Sequence, residues 1–277
     1  MAKLFDGKVA FITGAARGQG RAHAVRFAEE GADIIAFDLC GPMDEVGYAL
    51  ASPEDLDETV NLVEKTGRRI IAEHGDVRDF ARLQQVVARG EDEFGRIDFV
   101  LANAGILTAI GAHRDEMSSY TAAIDVMLNG VYYTIQAAVP ALLRHGDGGA
   151  IVITSSAAGF KSHSESLQTM SPGNAGYIAA KHGVVGVMRY FATSLAQSNI
   201  RVNSVHPGGV ATPMIFNSAS AEYFQELGGF GDGQKPMLPI PPIEPEAVTD
   251  AMVYLCGPSG KYLTGVTLPV DGGLTLR

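Results

Sequence analysis

A short apolar run followed at once by a glycine-rich turn constrains the fold of this chain more than any other feature. Residues 8–14 are mostly apolar or β-branched, and Gly18 and Gly20 stand in the turn before a helical pattern over residues 21–30. Because glycine lacks a Cβ atom, such a turn can admit a pyrophosphate against the backbone at a helix N-terminus, which favours negative charge. A second apolar run, residues 32–38, completes a β-α-β unit. The pattern predicts a dinucleotide-binding site.

Asp38 and Arg17 indicate which dinucleotide binds. Asp38 ends the second run, about 20 residues past the turn, where a carboxylate accepts hydrogen bonds from the adenosine ribose hydroxyls. A 2′-phosphate at that position would meet a like charge. Arg17, within the turn, favours the opposite choice because a guanidinium can hold a phosphate. The repulsion at Asp38 decides for NAD over NADP, since Arg17 can equally be solvated or paired.

Five further apolar runs predict the rest of the sheet. They cover residues 69–73, 97–102, 150–154, 201–205 and 267–270, and helical stretches separate them, including long ones at residues 118–144 and 176–197. Pro269 cannot donate to a strand ladder, which places the last strand at an edge. Strands alternating with helices predict an α/β fold with one domain over residues 1–277: a Rossmann-type doubly wound parallel seven-stranded sheet with helices on both faces.

Polar or glycine residues follow four of these strands directly. They are Asp76, then Asn103 to Gly105, then Ser155 and Ser156, then Pro207 to Gly209. Each group alone is typical of a turn. Ligands of parallel sheets bind at the carboxyl ends of the strands, so their shared position predicts a cleft along that edge.

Tyr177 and Lys181 form a candidate acid-base pair. A spacing of four residues places both side chains on one helix face. A free phenol titrates near pH ~10, and an adjacent cation favours the phenolate, so Lys181 is expected to lower the pKa of Tyr177 towards neutrality. The pair alone arises easily by chance; beside a dinucleotide site it indicates a catalytic base.

Composition excludes several other classes of function. The net charge of −10 argues against nucleic acid as a partner. Uninterrupted apolar runs stay far short of the ~18 residues of a membrane span, so we expect a cytoplasmic protein with no membrane partner. Cys40 and Cys256 lie outside any C-x-x-C pattern, and the histidines show no metal-ligand grouping, so no metal site is predicted.

These motifs together resemble the short-chain dehydrogenase/reductase family. The resemblance is carried by residues 13–20, Asp76-Val77, Asn103 to Gly105, Ser156, Tyr177, Lys181 and residues 203–208. It implies that Ser156 hydrogen-bonds the substrate oxygen, that Tyr177 carries the proton, and that Lys181 binds ribose hydroxyls and polarises Tyr177. With the turn and Asp38, the predicted cofactor-binding set is Gly14, Arg17, Gly18, Gln19, Gly20, Asp38, Leu39, Asp76, Val77, Asn103, Ala104, Gly105, Tyr177, Lys181, Pro207, Gly208, Val210 and Thr212.

One position departs from the family pattern. Family members place an asparagine of the proton relay where this chain has Met127. Asn129 lies two residues on, rotated by ~200° about a regular helix, and so should face elsewhere unless the helix bulges. Asn129 stays outside the predicted catalytic set for that reason.

Two insertions resemble the carveol-dehydrogenase-like, mycofactocin-coupled subgroup of the family. One lies near residues 39–60, where residues 52–55 look like a helix start, and the other near residues 160–174. The subgroup implies NAD held without free exchange and a redox partner that re-oxidises it. A surface loop is the alternative explanation for either insertion, and for the first insertion it is an equally good one. The long helical patterns resemble those through which relatives form homotetramers.

Residues 211–242 are predicted to form a substrate lid. Phe216, Tyr223, Phe224 and Phe230 supply apolar contacts, and residues 228–233 resemble a hinge. We expect reversible oxidation of an apolar secondary alcohol, carveol-like or otherwise cyclic or terpenoid, to its ketone. A 3-oxoacyl-thioester or hydroxysteroid reductase or dehydrogenase is the alternative, and a non-catalytic NAD-binding regulator is a weaker one.

Overall fold

Seven parallel strands form one sheet at the centre of the molecule. A computed structural model describes residues 3–162, 166–226 and 235–276. Within them the strands are β1 (Val9–Thr13), β2 (Asp33–Asp38), β3 (Ile70–His74), β4 (Phe99–Ala102), β5 (Gly149–Thr154), β6 (Ile200–Pro207) and β7 (Thr267–Val270). Their order across the sheet is β3-β2-β1-β4-β5-β6-β7, which confirms the predicted Rossmann-type doubly wound sheet.

The strand bounds differ from the prediction at several ends. β4 begins at Phe99 rather than at residue 97, and the buried Asp98 carboxylate just before it accepts from the Val9 amide at 3.0 Å. β6 continues to Pro207, pairing His206 with Pro269 of β7. β7 lies at the sheet edge, as Pro269 predicted. A proline has no amide hydrogen to donate, and an edge strand has one side on which no neighbouring strand needs that donor.

Helices cover both faces of the sheet. They are α1 (Gly18–Glu29), α2 (Pro53–Lys65), α3 (Phe80–Phe94), α4 (Met117–Ile124), α5 (Gly130–Arg144), α6 (Pro172–Leu195), α7 (Ser218–Glu226) and α8 (Pro245–Cys256). Alternate strand residues point to opposite faces, so Phe11 joins one apolar cluster and Ile12 the other. Burial on both faces explains why the strands are almost wholly apolar.

The long helical segment between β4 and β5 is interrupted. The sequence pattern over residues 118–144 predicted one helix, but residues Asp125–Asn129 form a π-helical turn between α4 and α5. A π turn inserts an extra residue and rotates the helix beyond it, and such turns concentrate at functional sites. The whole segment Met117–Arg144 is long and apolar enough, by length and composition, to span a membrane, although polar residues interrupt its apolar runs. Its apolar window is 56% buried within the protein, as in a core helix.

The first insertion leads into α2 through a well-formed helix start. Ser52 is the N-cap: its hydroxyl accepts from the Asp55 amide at 3.3 Å, and Asp55 accepts from the Ser52 amide at 3.0 Å. This capping box confirms the predicted helix start. Residues 39–52, which precede the helix and which we call the strap, lie over the carboxyl ends of the strands.

Candidate active site

A cleft runs along the carboxyl ends of β1 to β4. The part of the chain that the structure describes places most predicted cofactor residues in its wall: Gly14, Arg17, Gly18, Gln19, Gly20, Asp38, Leu39, Asp76, Val77, Asn103, Ala104, Gly105 and Thr212. Pro207 at the end of β6, and Gly208 and Val210 after it, lie outside this wall. The prediction missed the strap residues Met43, Tyr48, Leu50 and Ala51, and also Ile106, Val126 and Met214. We call this cavity the cofactor cleft.

The glycine-rich turn forms one side of the cofactor cleft, and its backbone segments lie close together there. Gly14 and Gly18 have φ of +68° and +56°, which favour glycine. A Cβ atom on Gly20 would lie 1.9 Å from the Gly14 carbonyl oxygen, so α1 can begin there only without a side chain. The turn therefore presents amide groups and the positive end of α1 to the cleft.

Asp38 and Arg17 both line the cofactor cleft. The Asp38 carboxylate accepts from the Ala16 amide at 2.9 Å and from the Cys40 amide at 3.3 Å, which fixes its direction and leaves lone pairs for ribose hydroxyls. Arg17 donates to the Ala49 carbonyl at 2.5 Å. The guanidinium is thus held to the strap by a hydrogen bond.

Asp76 and Asn103 both form hydrogen bonds within the protein that the sequence did not predict. Burial opposes ionisation of Asp76, but hydrogen bonds from Arg78 hold its pKa below the ordinary value. The Asn103 amide donates to Thr13 and Gly14 carbonyls at 3.1 and 3.3 Å and accepts from Thr154. Asn103 thereby joins the ends of β1, β4 and β5.

Ser156, Tyr177 and Lys181 converge where β5 and α6 meet. Ser156 is the N-cap of a 3₁₀ turn, Ala157–Gly159, and its hydroxyl accepts from the Ala158 amide at 3.1 Å and hydrogen-bonds Tyr177. Lys181 Nζ lies 5.7 Å from the Tyr177 ring centroid and donates to the Thr154 carbonyl at 3.0 Å. A Cβ on Gly105, in the cleft wall, would lie 3.7 Å from Lys181 Nζ. The three predicted catalytic groups are therefore together, beside the cofactor cleft.

The expected lowering of the Tyr177 pKa by Lys181 is wrong. Burial raises the pKa of Tyr177 above its ordinary value, and the hydrogen bond with Ser156 offsets this only in part. Burial also lowers the pKa of Lys181 to about 8. Spacing on a helix predicts that the two groups are neighbours, but not how strongly the surrounding protein excludes water from both.

Met127 and Lys181 both lie close to Gly105 in the cleft wall. Met127 is fully buried, and a Cβ on Gly105 would contact its Sδ and Cγ at 3.7 Å, the same distance as Lys181 Nζ. Asn129 donates instead to Asp125 at 3.0 Å. The π turn that the sequence left open does exist, but it does not bring Asn129 to Lys181.

The lid region is described only in part. Met214 reaches the cofactor cleft, Phe216 is 61% exposed, and Tyr223 in α7 lies under the Arg114 guanidinium at 5.3 Å. Phe230 and the predicted hinge at residues 228–233 fall outside the described residues. Of the second insertion, residues 163–165 also fall outside them.

The donor set of the cofactor cleft fits a dinucleotide. The turn offers amides without side-chain obstruction, and Asp38 offers an oriented carboxylate. Gln19 lines the cleft, and its buried Oε1 has no hydrogen-bond partner among the described residues. A buried acceptor without a partner is costly, and a ligand that donates a hydrogen bond would relieve that cost.

Comparisons with known proteins agree with this geometry. A family model described as enoyl-(acyl carrier protein) reductase matches residues 14–275. The chain is 50% identical over 273 residues to an oxidoreductase of Mycobacterium tuberculosis, covering 97% of this chain and 96% of the relative. It is 42% identical to (-)-trans-carveol dehydrogenase of Rhodococcus erythropolis, covering 98% and 99%. The crystal structure of carveol dehydrogenase from Mycobacterium avium in complex with NAD has a TM-score of 0.90 at 43% identity, covering 99% and 100%.

Proposed function

The chain belongs to the short-chain dehydrogenase/reductase family and is an NAD-dependent oxidoreductase, and we propose that it interconverts an apolar, cyclic secondary alcohol and its ketone. The observation that carries the proposal is the convergence of Ser156, Tyr177 and Lys181 beside the cofactor cleft. The relative named for trans-carveol, a cyclic alcohol, supports the substrate class.

Each catalytic side chain has a distinct task in this proposal. The Ser156 hydroxyl holds the substrate oxygen as negative charge develops on it, and the Tyr177 phenolate takes the hydroxyl proton. Lys181, held by the Thr154 carbonyl, supplies positive charge beside the phenol. NAD, when bound, supplies the hydride acceptor. The amides of the turn, Gln19 and Asp38 would hold it.

The apolar walls support the preference for an apolar substrate. Ile106 and Met214 line the cofactor cleft next to the loop that follows β4, and Phe216 stands close by in sequence. Such side chains favour hydrocarbon over charged carriers, because burying a charge without a partner is costly. Asp38 disfavours the phosphorylated cofactor expected of a biosynthetic oxoacyl reductase.

Turnover of an alcohol panel tests the proposal. Cyclic secondary alcohols, a 3-hydroxyacyl thioester and a hydroxysteroid are offered with NAD, and again with an artificial electron acceptor. Tyr177→Phe should abolish turnover while NAD still binds, and Tyr133→Phe, which alters a tyrosine packed against Phe80, is the matched control. Faster turnover of the thioester or steroid than of every cyclic alcohol would reject the substrate class. Normal turnover by Tyr177→Phe would reject the mechanism.

We further propose that the strap holds NAD in place without free exchange, and that a redox partner re-oxidises it there. The strap is fastened at two polar points: Ala49 accepts from Arg17, and the Tyr48 hydroxyl accepts from the Leu107 amide at 3.1 Å. Burial raises the pKa of Tyr48 to about 12, as for a phenol away from water. Next to these points, a Cβ on Gly47 would lie 2.5 Å from the Gly111 Cα.

Retention of NAD after purification tests the role of the strap. The dinucleotide released on denaturation is identified and quantified before and after extended dialysis. Gly47→Ala would separate the strap from Gly111 and should lose NAD on dialysis, whereas Gly186→Ala, in α6 with open space around it, should not. Equal retention by both variants would contradict the role of the strap.

A further inference from the structure

His206 is completely buried at the carboxyl end of β6, outside the predicted catalytic and cofactor-binding sets. Both nitrogens of its ring are engaged. Nδ1 lies 2.9 Å from the Ser156 carbonyl oxygen, and Nε2 lies 2.9 Å from the Ser204 hydroxyl. Burial of an imidazole at a strand end, in contact with a catalytic residue, calls for a structural reason.

The partners of the ring fix its tautomer. A carbonyl oxygen only accepts, so Nδ1 must carry the hydrogen that Ser156 receives. Nε2 is then an acceptor, and the Ser204 hydroxyl donates to it. Burial lowers the pKa of His206 to about 4, so the ring is neutral near neutral pH. His206 therefore acts as a hydrogen-bond donor of fixed direction.

The ring is also held by its packing. The Phe160 ring lies 4.1 Å from the His206 ring, centroid to centroid. A Cβ on Gly159 would lie 3.2 Å from His206 Cε1 and 2.5 Å from Ser155 Oγ. Only a glycine at this position lets the 3₁₀ turn pack so closely against the imidazole.

The hydrogen bond from His206 joins the serine turn to the sheet. The Ser156 carbonyl also accepts from the Gly159 amide at 2.8 Å, so the turn itself can form without His206. Ser155 donates to the Lys181 carbonyl at 2.8 Å, which ties the preceding residue to α6. The hydrogen bond from His206 provides a second link, which joins the turn to β6.

We propose that His206 is a positioning residue, which sets the location of the Ser156 hydroxyl relative to Tyr177 through the Ser156 carbonyl. This inference rests on the proposed function, in which Ser156 holds the substrate oxygen. A displacement of Ser156 would weaken that contact as charge develops, and misplacement by about 1 Å can cost about 100-fold in rate. The binding of NAD, in the cofactor cleft, should be unaffected.

Two amide substitutions test the roles of the two ring nitrogens of His206 separately. In His206→Asn, the amide nitrogen takes the place of Nδ1 and can still donate to Ser156. In His206→Gln, it takes the place of Nε2 and can reach Ser204 but not Ser156. Ser204→Ala removes the partner of Nε2 and leaves the bond to Ser156. All three are compared with the parent protein for kcat, KM of the alcohol, NAD affinity and thermal unfolding.

We expect His206→Gln to lower kcat by about 10- to 100-fold with NAD affinity unchanged. His206→Asn and Ser204→Ala should keep most of the parent protein's kcat. If His206→Gln does not fold, His206→Leu replaces it with the same expectation. Equal kcat in the Asn and Gln variants would overturn the inference, as would a loss in Ser204→Ala as large as in His206→Gln. Failure of the parent protein to oxidise any alcohol would instead reject the proposed function.

Discussion

At the scale of single residues, the π turn determines which side chains Met127 and Asn129 lie beside. Met127 is fully buried close to Gly105, and Asn129 donates to Asp125. We therefore expect Asn129→Ala to leave kcat unchanged within error. Met127→Ala should lower both kcat and the free energy of unfolding, the latter by about 2–4 kcal/mol, because it empties fully buried volume. Steady-state kinetics and denaturant unfolding measure both effects.

A large fall of kcat in Asn129→Ala would contradict the assignment, because it would make Asn129 part of the proton path. Asp125→Ala provides the matched control, since it removes the partner of Asn129 without touching that residue. If Asn129 serves only Asp125, the two variants should lose similar amounts of stability.

Residue identities at the site were readable from the sequence, but residue environments were not. Tyr177, Lys181 and Asp38 lie where their spacing placed them. The pKa of Tyr177 is raised, opposite to the prediction, because burial outweighs the hydrogen bond with Ser156. The sequence did not predict a role for His206. A histidine beside a proline and a glycine has no distinctive spacing, and its partner Ser156 lies fifty residues away in the chain.

At the scale of elements, the strands were predictable because burial on both faces makes each one a continuous apolar run. The strap was not, because its role depends on contacts with distant backbone: Leu107 and Gly111 hold it, and neither is marked in the local sequence. The helix start at Ser52 was predictable because a capping box is written in four consecutive residues.

Arg201 of β6 stabilises the end of α8. Its guanidinium donates to the Leu255, Cys256 and Gly260 carbonyls, where the last carbonyls of the helix have no intrahelical partner. Arg201→Met would leave the Leu255 and Cys256 carbonyls without this donor, whereas Gly260 would keep the Leu263 amide at 2.9 Å. We expect it to lower the free energy of unfolding by about 3 kcal/mol, measured by urea denaturation.

Arg144→Met is the matched control for that change. Arg144 is 67% exposed and pairs with Glu91 at the surface, and such pairs contribute about 1 kcal/mol or less. If the two arginine variants were equally stable, the carbonyl contacts of Arg201 would contribute no more than a surface ion pair, and its role at the end of α8 would be rejected.

At the scale of the whole molecule, we propose that the protein assembles as a homotetramer through its long helices. Tyr132 and Leu143 of α5 and Tyr190 of α6 are large apolar side chains left exposed. Exposed apolar surface of this kind marks association sites. Light scattering coupled to size exclusion should give four times the chain mass of 29.2 kDa. Tyr190→Asp should lower the measured mass, and a monomeric parent protein would refute the proposal.

Stability in acid should depend on His23, which links α1 to α8. Its Nδ1 lies 2.7 Å from the Thr249 hydroxyl, and its buried Nε2 has no partner among the described residues. Burial lowers the pKa of His23 from 6.5 to about 3. The unfolded state therefore binds this proton more readily, so stability present above pH 6.5 is lost as the pH falls from 6.5 towards 3.

The free energy of unfolding should fall by up to about 1.4 kcal/mol per pH unit through this window on account of His23. His23→Gln removes the titrating group, so its stability deficit relative to the parent protein should shrink as the pH is lowered. Urea denaturation between pH 7 and pH 4 measures that difference, with His74→Gln at an exposed position as the matched control. Because the carboxylates titrate alike in both proteins, their effect cancels in the comparison. A deficit of constant size across the range would show that His23 is not the group whose protonation favours unfolding.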